Sequence, residues 1–137
     1  MAAWLKTTAI AVVTLGAGAG AAQAPAPFAG QTYDAVAATR GQTAYLETCA
    51  ACHGADLGAG EFGPALSGAE FASHWRGQDA AAFLTYIQTK MPPASPGSLS
   101  TSTYAAIAAH ILKGNGASAG AAVAAAPAQA AAPAPAG

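Results

Sequence analysis

Only 20 of the 137 side chains are Leu, Ile, Val or Phe, whereas 43 are alanine. Large apolar side chains are what fill a core, and this number suffices for one small one. Two domains, an enzyme of ordinary size and a polytopic membrane protein are excluded on that ground. Charge is as sparse: five Lys and Arg stand against six Asp and Glu, a net −1. A nucleic-acid binder shows a basic stripe, and this chain has none. Composition alone does not supply the stability of a fold.

The first 22 residues read as a secretory signal peptide. Lys6 gives the positive start, Ala9 to Leu15 the apolar stretch, and small residues follow from Gly16. Cleavage after Ala21 or Ala22 is favoured, because cleavage after Ala24 would leave Pro25 in the blocking position. The apolar run is shorter than the ~20 residues that span a bilayer, so no transmembrane segment is expected after cleavage and the expected location is the periplasm. Residues 23–32 contain Pro25-Ala26-Pro27 and are expected to be a disordered linker. Residues 117–137 hold 13 alanines in 21 positions and no charge, and are expected to be a disordered tail. The folded unit is then 33–116.

Three helices can be placed in it, and no useful strand alternation, so the expected class is all-α. The first runs from about Ala35 or Arg40 to Cys49 and contains Gly41, a residue that costs ~1 kcal/mol in a helix and points to close approach of another helix. The second runs from the N-cap Asp79 to Thr89, with Phe83, Leu84 and Ile87 on one face and Pro92-Pro93 beyond its end. The third starts at the N-cap Ser100 and ends at Gly114. Its Tyr104, Ile107, Ala108, Ile111 and Leu112 form an amphipathic stripe.

The two cysteines fall as Cys49-Ala50-Ala51-Cys52-His53. In an exported chain this is the spacing of covalent haem c attachment. Two thiols three residues apart at a helix end reach the two vinyl groups of one haem, and the adjacent His53 turns its imidazole to the iron. Other readings fit less well. A Cys49–Cys52 disulfide would close a tiny loop and add little stability. A thioredoxin-like pair needs a βαβ context, and a zinc site needs a second paired ligand set, whereas His74 and His110 are isolated. The second axial ligand is expected to be Met91, the only methionine besides Met1 and 38 residues beyond His53, stiffened by Pro92-Pro93. His74, His110 and Lys90 are the alternatives.

With these residues in hand, the chain from Tyr33 to Gly116 resembles a class I cytochrome c. Gly41, Tyr45, Cys49, Cys52, His53 and Gly54 stand at the spacing of the family's N-terminal pattern, and Gly63-Pro64-Ala65-Leu66-Ser67-Gly68 matches its GPxLxG segment. Lys90-Met91-Pro92-Pro93, followed by Pro96-Gly97-Ser98-Leu99-Ser100, looks like the single-haem cytochromes associated with periplasmic quinoprotein dehydrogenases. The resemblance implies three or four helices around one haem, with the terminal helices crossing at Gly41. It implies that the Pro64 carbonyl accepts a hydrogen bond from His53 Nδ1 and that Leu66 covers one haem face. Trp75 would either donate its indole N–H near a propionate or simply fill volume. The family more often has an aromatic where this chain has His110, which is read as a helix-interface residue.

Two functional classes follow. An electron carrier has both axial positions filled by His53 and Met91 and needs only redox partner proteins: a dehydrogenase, an oxidase or another cytochrome. A haem enzyme needs an open sixth position and a distal acid–base group, which the Met91 loop does not contain. The carrier, as a monomer, is the expected reading.

Overall fold

The computed structural model describes residues 25–120. The expected signal peptide, and the tail beyond 120, lie outside these residues. The described chain is mostly helical, as expected: α1 (Ala35–Thr48), α2 (Ala50–His53), α3 (Gly68–Trp75), α4 (Ala80–Lys90) and α5 (Thr101–Gly114), with the two-residue strands β1 (Thr32–Tyr33) and β2 (Ser118–Ala119) at its ends.

The helix starts follow from local chemistry. The Asp34 carboxylate accepts the Ala37 N–H, Asp79 accepts the Ala82 N–H at 2.8 Å, and Ser100 Oγ accepts the Thr103 N–H at 3.1 Å. Each satisfies one of the orphan donors of a first helical turn. α1 and α5 then make the most extensive contact between elements. They cross where the sequence placed the crossing: a Cβ on Gly41 would run into the Ala106 carbonyl. Tyr45 of α1 and Ile107, Ala108, Ile111 and Leu112 of α5 are buried at this junction, so the stripe read from the sequence is the core face.

Three features depart from expectation. Helix α3 was not foreseen; its only apolar signal is Phe71 and Trp75 one turn apart, and so short a helix is held by packing rather than by propensity. The expected linker 23–32 does not hold for residues 28–32. Phe28 is fully buried, with its ring 5.5 Å from Phe83, 6.2 Å from Phe71 and 6.4 Å from Trp75. Gln31 ties the same segment to α4, accepting the Ala80 N–H and donating to the Gln78 carbonyl. The expected tail likewise begins too early at 117. Ala117 packs on the core, and Ser118–Ala119 pair in parallel with Thr32–Tyr33. The reason is the same at both ends: one aromatic ring and a few backbone hydrogen bonds offset the ordering entropy of a segment whose composition alone reads as unstructured.

No helix among the described residues is long and apolar enough to cross a membrane.

The Phe28 packing gives a direct stability test. Phe28→Ala should lower the unfolding free energy by about 3–5 kcal/mol, whereas Phe62→Ala, at a position 77% exposed, should change it by less than ~0.5 kcal/mol. Denaturant titration of the two variants measures both; equal, small effects would show that the N-terminal segment carries no core weight.

Candidate functional site

The C-terminus of α1 delivers the cysteine pair. The Cys49 N–H still bonds back to the Tyr45 carbonyl at 2.8 Å, and the single turn of α2 carries Cys52 and His53 before Gly54, at φ 79°, ends it. Both thiols are free. Burial pushes the Cys49 thiol up, and Cys52 adds to that shift against a hydrogen bond from Thr48.

His53 is fixed from the next loop. Its Nδ1 lies 2.7 Å from the Pro64 carbonyl oxygen. A carbonyl only accepts, so Nδ1 carries a proton, and in the neutral ring the lone pair is then on Nε2. Gly63 makes this approach feasible, since a Cβ there would come within 2.9 Å of Nδ1. The loop is closed by the Leu57 carbonyl, which accepts from the Leu66 N–H at 2.8 Å and the Ser67 hydroxyl at 3.1 Å. Buried Asn115, at the end of α5, donates to the carbonyls of Leu66 (2.8 Å) and Ile111 (2.9 Å), tying the loop to the C-terminal helix.

Cys49, Cys52, His53, Pro64, Leu66, Trp75 and Met91 all border one cavity of about 280 Å³. Every site residue expected from the sequence is therefore brought to one place. The rest of the lining is chiefly apolar, with Phe71, Phe83, Ile87, Ile107 and Ile111 on its walls. Two thiols, an imidazole with a free Nε2 and a thioether around an apolar cavity are a donor set that suits a covalently attached haem.

Met91 follows α4 directly and is half-buried. Its N–H donates to the Ile87 carbonyl at 3.1 Å, and its carbonyl accepts the Tyr104 hydroxyl at 2.6 Å. Of the alternative ligands, His74 also borders the cavity, exposed on α3, but Lys90 and His110 do not. His110 sits against the Tyr45 ring, with centroids 5.3 Å apart. Burial and then Lys113 hold its pKa below the ordinary histidine value, as suits a neutral residue in the α1–α5 interface. Trp75 is buried and perpendicular to Phe83 at 4.9 Å. Its indole N–H makes no hydrogen bond among the described residues.

Two contributors were missed from the sequence. Asn115 gives no signal beyond following a helix. Tyr104 was read only as part of a stripe, although a buried tyrosine hydroxyl needs a partner, and that requirement is a legible cue.

The family described as cytochrome C oxidase, cbb3-type, subunit III matches residues 36–111. No curated protein and no solved structure matched the chain.

Tyr45 offers a pH test of the α1 end of the site. It is fully buried, and its hydroxyl donates to the Gly54 carbonyl at 2.6 Å. Burial, with Cys49 and Asp56 adding to it, pushes its pKa from 10.0 up to about 12. A pKa raised on folding means stability that is complete below the unfolded value and lost as pH rises through the folded one. Stability should therefore fall between pH 10.0 and about 12. Tyr45→Phe should cost about 1 kcal/mol at neutral pH and flatten that part of the profile; an unchanged alkaline fall would assign it to another group.

Proposed function

The chain belongs to the cytochrome C oxidase, cbb3-type, subunit III family, and residues 36–111 are a class I c-type cytochrome domain that binds haem c and carries electrons; from that premise we propose which residues do so and between what partners. One haem would be held through Cys49 and Cys52, with His53 and Met91 as the iron ligands. The observation that carries this reading is the convergence of all four on one apolar cavity.

Bound there, the haem supplies a one-electron iron couple. The protein's own residues do the rest. The Pro64 carbonyl, by accepting a hydrogen bond from Nδ1–H, sets the tautomer and the aim of His53 and strengthens it as a ligand. Leu66, Ile87, Ile107 and Ile111 exclude water, and a low-dielectric surrounding keeps solvent reorganisation small. Trp75, whose N–H is spare, is available to a propionate. With His53 and Met91 both holding the iron, no position would remain for a substrate, which favours a carrier over an enzyme. Export by cleavage of residues 1–22, a periplasmic location and a donor of the quinoprotein dehydrogenase class complete the proposal.

Two measurements test the attachment and the ligands. Haem should stay with the chain through denaturing electrophoresis and acid–organic extraction; release by extraction removes the covalent reading. Met91→Ala should keep the haem but abolish the near-infrared thioether-to-ferric-iron band, open the iron to imidazole and lower the potential. A parent chain without that band, and a spectrum and potential unchanged in Met91→Ala, would pass the role to His74, His110 or Lys90.

The docking surface can be read from the rim. The lining residues that are also exposed include Thr48, Cys52, Pro64, Tyr86 and Pro93, together with His74 and Glu70. Glu70 alone among them has a formal charge at neutral pH, so partner recognition should rest on shape and apolar contact, with little electrostatic steering. Stopped-flow reduction by a partner dehydrogenase across a range of ionic strength should show a shallow dependence. A steep one would overturn neutral docking.

A further inference from the structure

The loop that follows Met91 closes on itself, with the Ser95 N–H donating to the Pro92 carbonyl at 3.0 Å and the Ser98 N–H to the Ser95 carbonyl at 3.2 Å, but neither bond reaches Met91. Pro92 and Pro93 follow immediately and have no N–H to donate, and most of the residues from Pro93 to Ser98 are exposed. Yet both main-chain groups of Met91 are engaged. The N–H is held from α4 by the Ile87 carbonyl, and the carbonyl is held from α5 by the Tyr104 hydroxyl at 2.6 Å. Tyr104 is well placed for this. It is 3% exposed, lies in the first turn of α5, borders the same cavity as Met91, and its own N–H is bonded to the carbonyl of the N-cap Ser100. An apolar residue at this position would keep the core stripe intact, so packing does not account for the hydroxyl.

We propose that Tyr104 is a positioning residue for Met91: by holding the Met91 carbonyl, its hydroxyl fixes the backbone from which the thioether enters the cavity and sets how readily Met91 yields its place to an external ligand. This rests on the reading of Met91 as an axial ligand. It goes beyond that reading because it assigns the strength of the Met91 side to a residue on another helix. When a ligand competes with a side chain, its apparent affinity scales with the fraction of molecules in which that side chain has swung away. One hydrogen bond from a neutral hydroxyl to a carbonyl shifts such an equilibrium by about threefold to tenfold.

The test uses the ferric, haem-loaded full chain with imidazole as the probe. Tyr104→Phe keeps the ring and removes the hydroxyl. It should retain the thioether-to-iron band while binding imidazole about threefold to tenfold more tightly than the parent chain. Leu112→Val, in the core of α5 but away from the cavity lining, supplies a comparison that is destabilised without loss of the brace, and its imidazole affinity should match that of the parent. Met91→Ala reports separately on the underlying reading, with the band lost and tight imidazole binding. An unchanged affinity in Tyr104→Phe overturns the proposal, as does an equal gain in Leu112→Val, which would make general destabilisation the cause. Absence of the band from the parent chain, or an imidazole affinity unchanged in Met91→Ala, overturns the axial reading and the Tyr104 role with it.

Discussion

The carbonyl of Ala106 lies where any side chain on residue 41 would have to go. That one contact lets the backbones of α1 and α5 touch, and the remaining elements are arranged around the resulting pair. The crossing lies two turns before the end of α1, so Cys49 leaves the helix at a fixed distance from it. It lies less than one turn after Tyr104 on α5, a residue that also borders the cavity. A glycine that costs ~1 kcal/mol of helix propensity therefore sets the separation between the two halves of the site.

The two halves are supported differently. On the His53 side the supports are local in sequence: Pro64 and Gly63 lie within a dozen residues, and the glycine leaves room for the imidazole. On the Met91 side the loop's own turns do not reach Met91, and its backbone is held by groups from two helices. Asn115 joins the halves, since its amide spans from α5 to the loop that aims His53. Each of these bonds satisfies a main-chain carbonyl, and a carbonyl left without a partner in a buried setting costs about 1–3 kcal/mol.

What could be read in the sequence follows from this arrangement. The attachment motif, Met91, the three long helices, two of their caps and the crossing glycine depend on spacing within a few residues, and spacing is written in the chain. The Pro64–His53 bond came from family resemblance and agrees with the geometry. Phe28, Gln31, Asn115 and helix α3 were not legible because their reason lies elsewhere in the chain. Phe28 is one aromatic in a Pro/Ala stretch, and only the rings of Phe71, Trp75 and Phe83 give it a place to go. Gln31 acts across 49 residues to reach Ala80, and Asn115 across 49 to reach Leu66. Partners at such separation have no local pattern.

The scarcity of large apolar side chains takes on a different meaning once the cavity is located. Of the twelve buried members of the core cluster, seven also line the cavity: Phe71, Trp75, Phe83, Ile87, Tyr104, Ile107 and Ile111. The core and the cofactor site are thus largely one set of residues. A wall that faces a space instead of atoms forfeits its dispersion contacts on that side, and protein interiors reach their density only when such spaces are filled. A haem attached at Cys49 and Cys52, as proposed, would do that filling without drawing on the chain's own side chains. On that proposal the alanines can remain alanines because the haem would take the volume that larger residues occupy in a domain of this size. Folding and cofactor attachment would then be coupled through the same seven side chains, and the sequence economy visible at the outset would be the consequence.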